Sequence, residues 1–325
     1  MLRFIVRRAL WAVPVVILGS LALFLALRLT RDPVHSATSL HISADALAKY
    51  KHDLGLDKSW ITQYWVFLSN TLRGHLGRSF TTQAPVWPPL RTALANSLIL
   101  GAASGAVYIT VGVIVGMVSA VKQYSWFDHL TTGLSFFGLS MPPFFFGLVS
   151  LVFVGTFYQH LTHSTGTLLP TLGGVYSPTT NGFNLVDRVK HLILPALTLA
   201  VQEIAIYSRY MRTGMLETLN SDYLRTARAK GISERRVVFR HAFRNALIPL
   251  TTFAAIDIGA VAGGLIITEQ IFGYQGMGLY FLGNYSNGDY PALLPWIMIV
   301  VGFVVVFNLL ADLSYVWLDP RIRVD

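Results

Sequence analysis

Four stretches of the chain carry no charged residue: Ala9 to Leu27, Ala93 to Val121, Leu130 to Tyr158 and Ala292 to Ala311. Each is about as long as the ~20 residues an α-helix needs to cross the roughly 30 Å hydrocarbon core of a bilayer, or longer. Two more stretches keep the apolar character around a carboxylate, Leu192 to Met211 around Glu203 and Ala246 to Thr268 around Asp257. The pattern predicts an all-α membrane protein with six transmembrane helices. Met141-Pro142-Pro143 lies inside the third span and predicts a kink, because proline removes a helical donor and frees carbonyls that need other partners.

The polar segments divide the chain into a tail with the first helix (1–30), an extracytoplasmic region (31–92), a transmembrane core of helices two to six (93–316) and a tail (317–325). The basic MLRFIVRR start reads as leading into a retained first helix, since its apolar run exceeds the roughly 7–15 residues of a signal-peptide core. Within 31–92 the pattern predicts amphipathic helices around Ser43 to Tyr50 and Trp60 to Leu72, with a turn at Leu54 to Asp57. His160 to Lys190 and FGYQGMG at Phe272 to Gly278 read as loops.

Composition agrees: 53% of residues are hydrophobic and 13% charged, against about a quarter charged in soluble domains. The net charge of +9 suggests nucleic acid only until its placement is considered. Of the 25 lysines and arginines, 15 fall in Met1 to Arg8, Lys122 to Asp128, Ser208 to Asn245 and Leu318 to Asp325. The other 10 are Arg28 and those of the much longer opposite loops. The positive-inside bias then predicts that both termini and the 208–245 segment are cytoplasmic, and it accounts for the charge without a nucleic-acid partner.

The chain contains no cysteine, no GxxxxGK[ST] phosphate cradle, no HExxH zinc site and no GxSxG elbow, so no catalysis, cofactor or metal is expected in it. His160, His163 and His191 lack metal-ligand spacing and read as interfacial polar residues. Glu203 and Asp257 are costly within a membrane and could line a translocation path, or be neutralised by a neighbouring helix or by an arginine such as Arg209.

Residues 208–245 are the least membrane-like internal segment. Leu224, Ala227 and Gly231 recur at i, i+3 and i+7, which puts small residues on one face of a helix starting near Ser221, with Arg225, Arg228 and Lys230 around it. Gly231-Ile232-Ser233-Glu234 reads as a helix stop followed by a new N-cap, with Ser233 available to the next turn. The result is a helix–turn–helix elbow that fits either an interfacial element or a docking device.

DYLRTARAKGISERRVVFRHAFRNALIP, from Asp222 to Pro249, resembles the cytoplasmic EAA loop of ATP-binding-cassette importer permeases, in the form found in the dipeptide and oligopeptide branch. Arg225, Thr226 and Ala227 stand where the general pattern has Glu-Ala-Ala, Gly231 is retained, and Pro249 comes later. RGHLGRSF at Arg73, SWFDHL at Ser125, LILPALTL at Leu192, TEQIFGYQGMG at Thr268, DYP at Asp289 and NLLADLSYVWLDPRIR near the end extend the resemblance to a B-type subunit.

That resemblance implies a type I importer permease of the bacterial inner membrane. Its partners would be a second homologous permease, two ATPases that bind ATP and Mg, an extracytoplasmic peptide-binding protein and membrane lipid. Asp222, Tyr223, Leu224, Arg225, Thr226, Ala227, Arg228, Ala229, Lys230, Gly231, Ser233 and Glu234 would form the loop that enters an ATPase cleft. Peptide would be the cargo, with a nickel chelate or a sugar as alternatives in the same class. A channel or proton-coupled transporter using Glu203 and Asp257 competes from another class, but would have no use for the elbow.

Overall fold

The computed structural model describes residues 2–30, 52, 58–157, 169, 174–175, 184–261 and 263–318. The expected helix at 43–50, the turn at 54–57, the histidines 160 and 163 and the tail from 319 onward lie outside these residues.

Every regular element among the described residues is helical. They are α1 (Leu2–Thr30), α2 (Trp60–Leu72), α3 (Trp87–Val121), α4 (Trp126–Ser140), α5 (Pro143–Val152), α6 (Leu185–Leu219), α7 (Asp222–Ala229), α8 (Glu234–Arg236), α9 (Phe243–Val261), α10 (Ile266–Phe272), α11 (Met277–Ser286) and α12 (Tyr290–Leu318). Wider π-helical turns follow α5 at Phe153–Phe157 and join α8 to α9 at Val237–Ala242.

Among the described residues three helices are long and apolar enough to cross a membrane: α3, α6 and, over Tyr290–Leu310, α12. The number rises to five when α4 with α5 and residues 234–261 with α10 each count as one bent span. Val13–Ala26 of α1 is a shorter apolar stretch.

The expected kink in the third span is a full break, with α4 and α5 meeting at 97°. Two consecutive X-Pro bonds cause it, because a residue before proline is pushed out of the α region. Met141 and Pro142 are both extended, at ψ 120° and 136°. The freed groups are partly re-used: Met141 N–H donates to the Phe137 carbonyl, and the Pro142 carbonyl accepts from Phe145 and Phe146. The expected continuous fifth span is also interrupted, with a 55° bend between Val261 and Ile266. Gly264 there sits at φ +91° with its Cα against the backbone of Gly278, an approach that leaves no room for a side chain. The stretch read as a loop before the sixth span already contains the start of α11.

The chain divides into two compact units. The first comprises Met1–Ser97, Ala262–Ile266 and Gln275–Val306. Its core joins Val86, Leu90 and Ala93 to Met277, Leu293, Trp296 and Ile297. Polar ties inside it satisfy helix ends: Asn96 Nδ2 donates to the Gln275 carbonyl at 2.7 Å, Met277 N–H to Ser97 Oγ at 2.7 Å, and Trp296 Nε1 to the Met277 carbonyl at 3.0 Å.

Two sequence motifs far apart in the chain meet in this unit. Asp289, fully buried, accepts from Ser79 Oγ, Phe80 N–H, Thr81 N–H and Thr81 Oγ1. Removing the carboxylate strands the buried Ser79 hydroxyl and three part-buried donors at once, each bond to a charged acceptor being worth about 1.5–3 kcal/mol. Asp289→Ala is therefore expected to destabilise the protein by about 3 kcal/mol or more, and Thr81→Ala by less. Thermal unfolding in detergent measures both.

The second unit comprises Leu98–Val261, Ile267–Tyr274 and Phe307–Asp325. In it α6 packs on α4, α5 and α9. Its largest buried cluster gathers Tyr108, Tyr207, Met211, Met215, Leu224, Val237, Ala242 and Leu250, so the core of the spans runs on into the elbow without a gap.

Candidate coupling elbow

α6 ends at Leu219, and Ser221 opens α7 two residues later. Ser221 adopts the extended conformation of an N-cap, but its hydroxyl bonds back to the Thr218 carbonyl instead of capping α7. α7 ends as a Schellman motif: Gly231 N–H donates to the Arg228 carbonyl at 2.9 Å, and Ile232 N–H to the Ala227 carbonyl at 3.3 Å. Gly231 stands at φ +74°, the left-handed position such a stop requires. Ile232 and Ala227 both pack on the buried cluster, supplying the apolar contact that accompanies the motif.

Ser233 begins α8 as expected, through its backbone and not its hydroxyl: its carbonyl accepts from Arg236 at 2.8 Å and Val237 at 3.0 Å. Across the turn Arg228 makes a bidentate pair with Glu234 at 3.0 and 2.9 Å, and its Nη1 reaches the Leu219 carbonyl. One guanidinium thus joins the end of α6, α7 and α8. The bonds hold the Glu234 carboxyl below its usual range and the Arg228 guanidinium above its own. Asn245 Nδ2 donates to Tyr223 Oη at 2.6 Å and ties α7 to the start of α9.

The stripe of Leu224, Ala227 and Gly231, whose small residues would let a partner surface approach closely, is partly covered by the chain itself. Leu224 is fully buried in the chain's own core, and Ala227 is half-buried against it. Leu224 and Ala227 seat the elbow on its own bundle, while Gly231, the third position of the stripe, is exposed. The face left exposed carries Asp222, Tyr223, Arg225, Thr226, Arg228, Ala229 and Lys230, with Gly231, Ser233 and Glu234 after them.

In the span region, Tyr207 Oη donates to Asp257 Oδ2 at 2.8 Å, and the Tyr108 and Tyr207 rings lie 4.9 Å apart. Glu203 Oε2 is buried without a hydrogen-bond partner. Neither carboxylate pairs with Arg209, whose guanidinium instead lies 5.3 Å from the centre of the Phe136 ring. The arginine considered as a neutraliser is therefore engaged elsewhere. His191 Nδ1 lies 2.9 Å from the Asp187 carbonyl within its own helix. Among the described residues no group of three metal-ligating side chains comes together.

Two features went unread in the sequence. Gly112 and Gly116 of α3 form a GxxxG pair that admits α6: a Cβ on Gly112 would lie 2.6 Å from Tyr207 Cβ, and one on Gly116 would overlap the Ser208 carbonyl oxygen. Glycines four apart in an apolar run are a signal for such packing. The second is the pair of the buried Asp128 with the half-buried Arg212, which no local pattern announces.

Comparison with known proteins agrees with this architecture. Residues 112–324 match the family described as binding-protein-dependent transport system inner membrane component, and residues 1–100 match the corresponding N-terminal region. The chain is 37% identical to the oligopeptide transport system permease protein AppB of Bacillus subtilis over 99% of this chain and all of that protein. It is 35% identical to the dipeptide transport system permease protein DppB of Escherichia coli over 99% of each, and 35% identical to a putative peptide permease protein of Brucella suis over the whole of both. These are transport permease components and not catalytic subunits. The chain belongs to the binding-protein-dependent transport system inner membrane component family.

Proposed function

We propose that the chain is one of two homologous permeases of a peptide importer driven by partner ATPases, and that the elbow from Asp222 to Glu234 carries the ATPase stroke to the spans. The observation that carries this reading is the elbow's construction. It grows from the end of a 35-residue helix, is stapled by Arg228 and Glu234, is rooted in the bundle core by Leu224, and leaves a cationic and aromatic face uncovered. A rigid outward projection with a bare polar face suits a partner's cleft. A helix lying on the bilayer would turn its apolar side to lipid, whereas here Leu224 is turned inward.

In this reading ATP and Mg belong to the partners, the cargo arrives on an extracytoplasmic binding protein, and six spans leave both termini cytoplasmic. Asp257, oriented by Tyr207, and Glu203 line the route. The relatives' names support peptide over a nickel chelate or a sugar. The decisive experiment is reconstitution of the chain with the second permease, the two ATPases and the binding protein in vesicles. Peptide uptake that needs ATP and every component supports the reading; uptake without the ATPases overturns it.

Two further expectations follow in that system. The chain has no cysteine, so His75→Cys and Ser233→Cys, both exposed positions, should label from opposite sides of the membrane. Labelling from one side would end the six-span topology. Asp257→Asn keeps an acceptor for Tyr207, so assembly is expected to persist while uptake shifts severalfold among peptides of different charge. Identical uptake across such a panel would reduce Asp257 to a packing role.

A further inference from the structure

A stroke delivered to the elbow reaches the spans first through the end of α6, so the contacts of α6 near its cytoplasmic end decide what moves with it. Most are close approaches of small residues. Gly112 and Gly116 of α3 lie against Tyr207, Ser208 and Met211, Gly138 of α4 faces Ala205, and Ser135 Oγ is 3.1 Å from Ser208 Oγ. Such a seam lets backbones approach but offers few directional bonds to resist sliding along the helix axes.

One cluster does resist it. Asp128, on the first turn of α4 and 2% exposed, accepts Arg212 Nε at 2.7 Å and Nη2 at 2.9 Å from α6. It also accepts Ser119 Oγ from α3 and the Tyr124 N–H at 2.9 Å from the connecting turn. A single carboxylate thereby gathers donors from α3, the turn, and α6. The turn bears the mark of that hold: Tyr124 stands at φ +62°, a left-handed position that non-glycine residues occupy at a cost. The bidentate geometry fixes orientation as well as distance, which a lysine in place of the arginine would not.

We propose that Asp128 and Arg212 are positioning residues for coupling: they lock α4 to α6 in register, so that displacement of the elbow drags α4. At its other end α4 meets α5 across the Met141–Pro143 break, where a shift of α4 re-aims a short helix instead of dissipating along a straight one. Glu234 and Arg228 bridge α7 and α8 within the elbow; Asp128 and Arg212 make the bundle follow it. This inference rests on the importer reading above and concerns the route the stroke takes after the elbow.

The test uses the full reconstituted importer with two variants, Arg212→Lys and Asp128→Asn. Arg212→Lys keeps the charge and loses the fork, and Asp128→Asn keeps the size and loses the charge. The readouts are co-purification of all subunits, binding-protein-stimulated ATP hydrolysis, and peptide taken up per ATP hydrolysed. The expected result is normal co-purification, stimulated hydrolysis within about twofold of the wild type, and about a tenfold loss of uptake per ATP in both variants. A merely structural pair would change yield without changing that ratio. Two outcomes overturn the proposal: an unchanged ratio in variants that assemble, or failure of both variants to assemble, which would make the pair a folding element. The wild-type importer run alongside separates these outcomes from failure of the importer reading, since only the latter abolishes its ATP-driven uptake.

Discussion

Gly116→Leu is expected to prevent recovery of a folded, assembled protein, and Gly116→Ala to destabilise it clearly. A Cβ at this position overlaps the Ser208 carbonyl oxygen, comes within 2.7 Å of Met211 Cβ and within 3.1 Å of the Arg212 N–H. The first and third of these are backbone groups inside α6 that cannot turn aside, so the helices must separate. Separation also pulls the Ser119 hydroxyl of α3 away from the Asp128 carboxylate, and a hydrogen bond to a charged group is worth about 1.5–3 kcal/mol. Overpacking alone costs about 1–3 kcal/mol. Gly133→Ala supplies the control: nothing lies within 4 Å of its Cβ position, and alanine in place of a helical glycine gains up to about 1 kcal/mol. Gly133→Ala should therefore match or exceed the wild type in thermal unfolding while Gly116→Ala falls well below it. Equal behaviour of the two alanine variants would show that α3 and α6 are not in this register.

What could be read without coordinates follows from the range of the interactions involved. The break at Met141–Pro143 is a local backbone rule written in adjacent residues, and only its size, a bend of 97°, needed the structure. The stop at Gly231 is likewise local, and the Schellman bonds confirm a turn that the residue types already demanded. The break after Val261 leaves no such mark, because apolar character continues across Gly263-Gly264 and hydropathy does not register that a helix has ended.

The stripe of Leu224, Ala227 and Gly231 shows another limit. Periodicity finds a face, yet it does not say whether the covering surface belongs to the same chain or to a partner; here Met211, Val237 and Ala242 of the same chain share Leu224's cluster. Asp128 and Arg212 are 84 residues apart, and each alone reads as an ordinary charge at the end of a span. Only packing brings them together, and the same holds for Ser79 with Asp289.

Gly231→Val is expected to separate ATP hydrolysis from transport. The position is exposed and no atom lies within 4 Å of where a side chain would start, so the substitution creates no clash. Its cost is conformational: at φ +74° a β-branched residue is a genuine outlier, and the left-handed region costs an ordinary residue about 1–2 kcal/mol. Relief comes by unwinding the Schellman turn, which swings α7 relative to α8 and strains the Arg228–Glu234 fork that spans it. The spans are rooted by contacts elsewhere and should insert normally. Binding-protein-stimulated hydrolysis should then persist or lose its dependence on the binding protein, while uptake falls about tenfold or more, the range of a coupling free energy of 1–3 kcal/mol. Gly231→Asn distinguishes backbone geometry from mere bulk, because asparagine enters the left-handed region more readily than other non-glycine residues. It should retain most uptake although its side chain is close to valine in size. If Gly231→Val transports as the wild type does, the elbow's fixed turn is not what carries the stroke; if Gly231→Asn fails as badly as valine, the position is limited by contact with a partner and not by its own backbone.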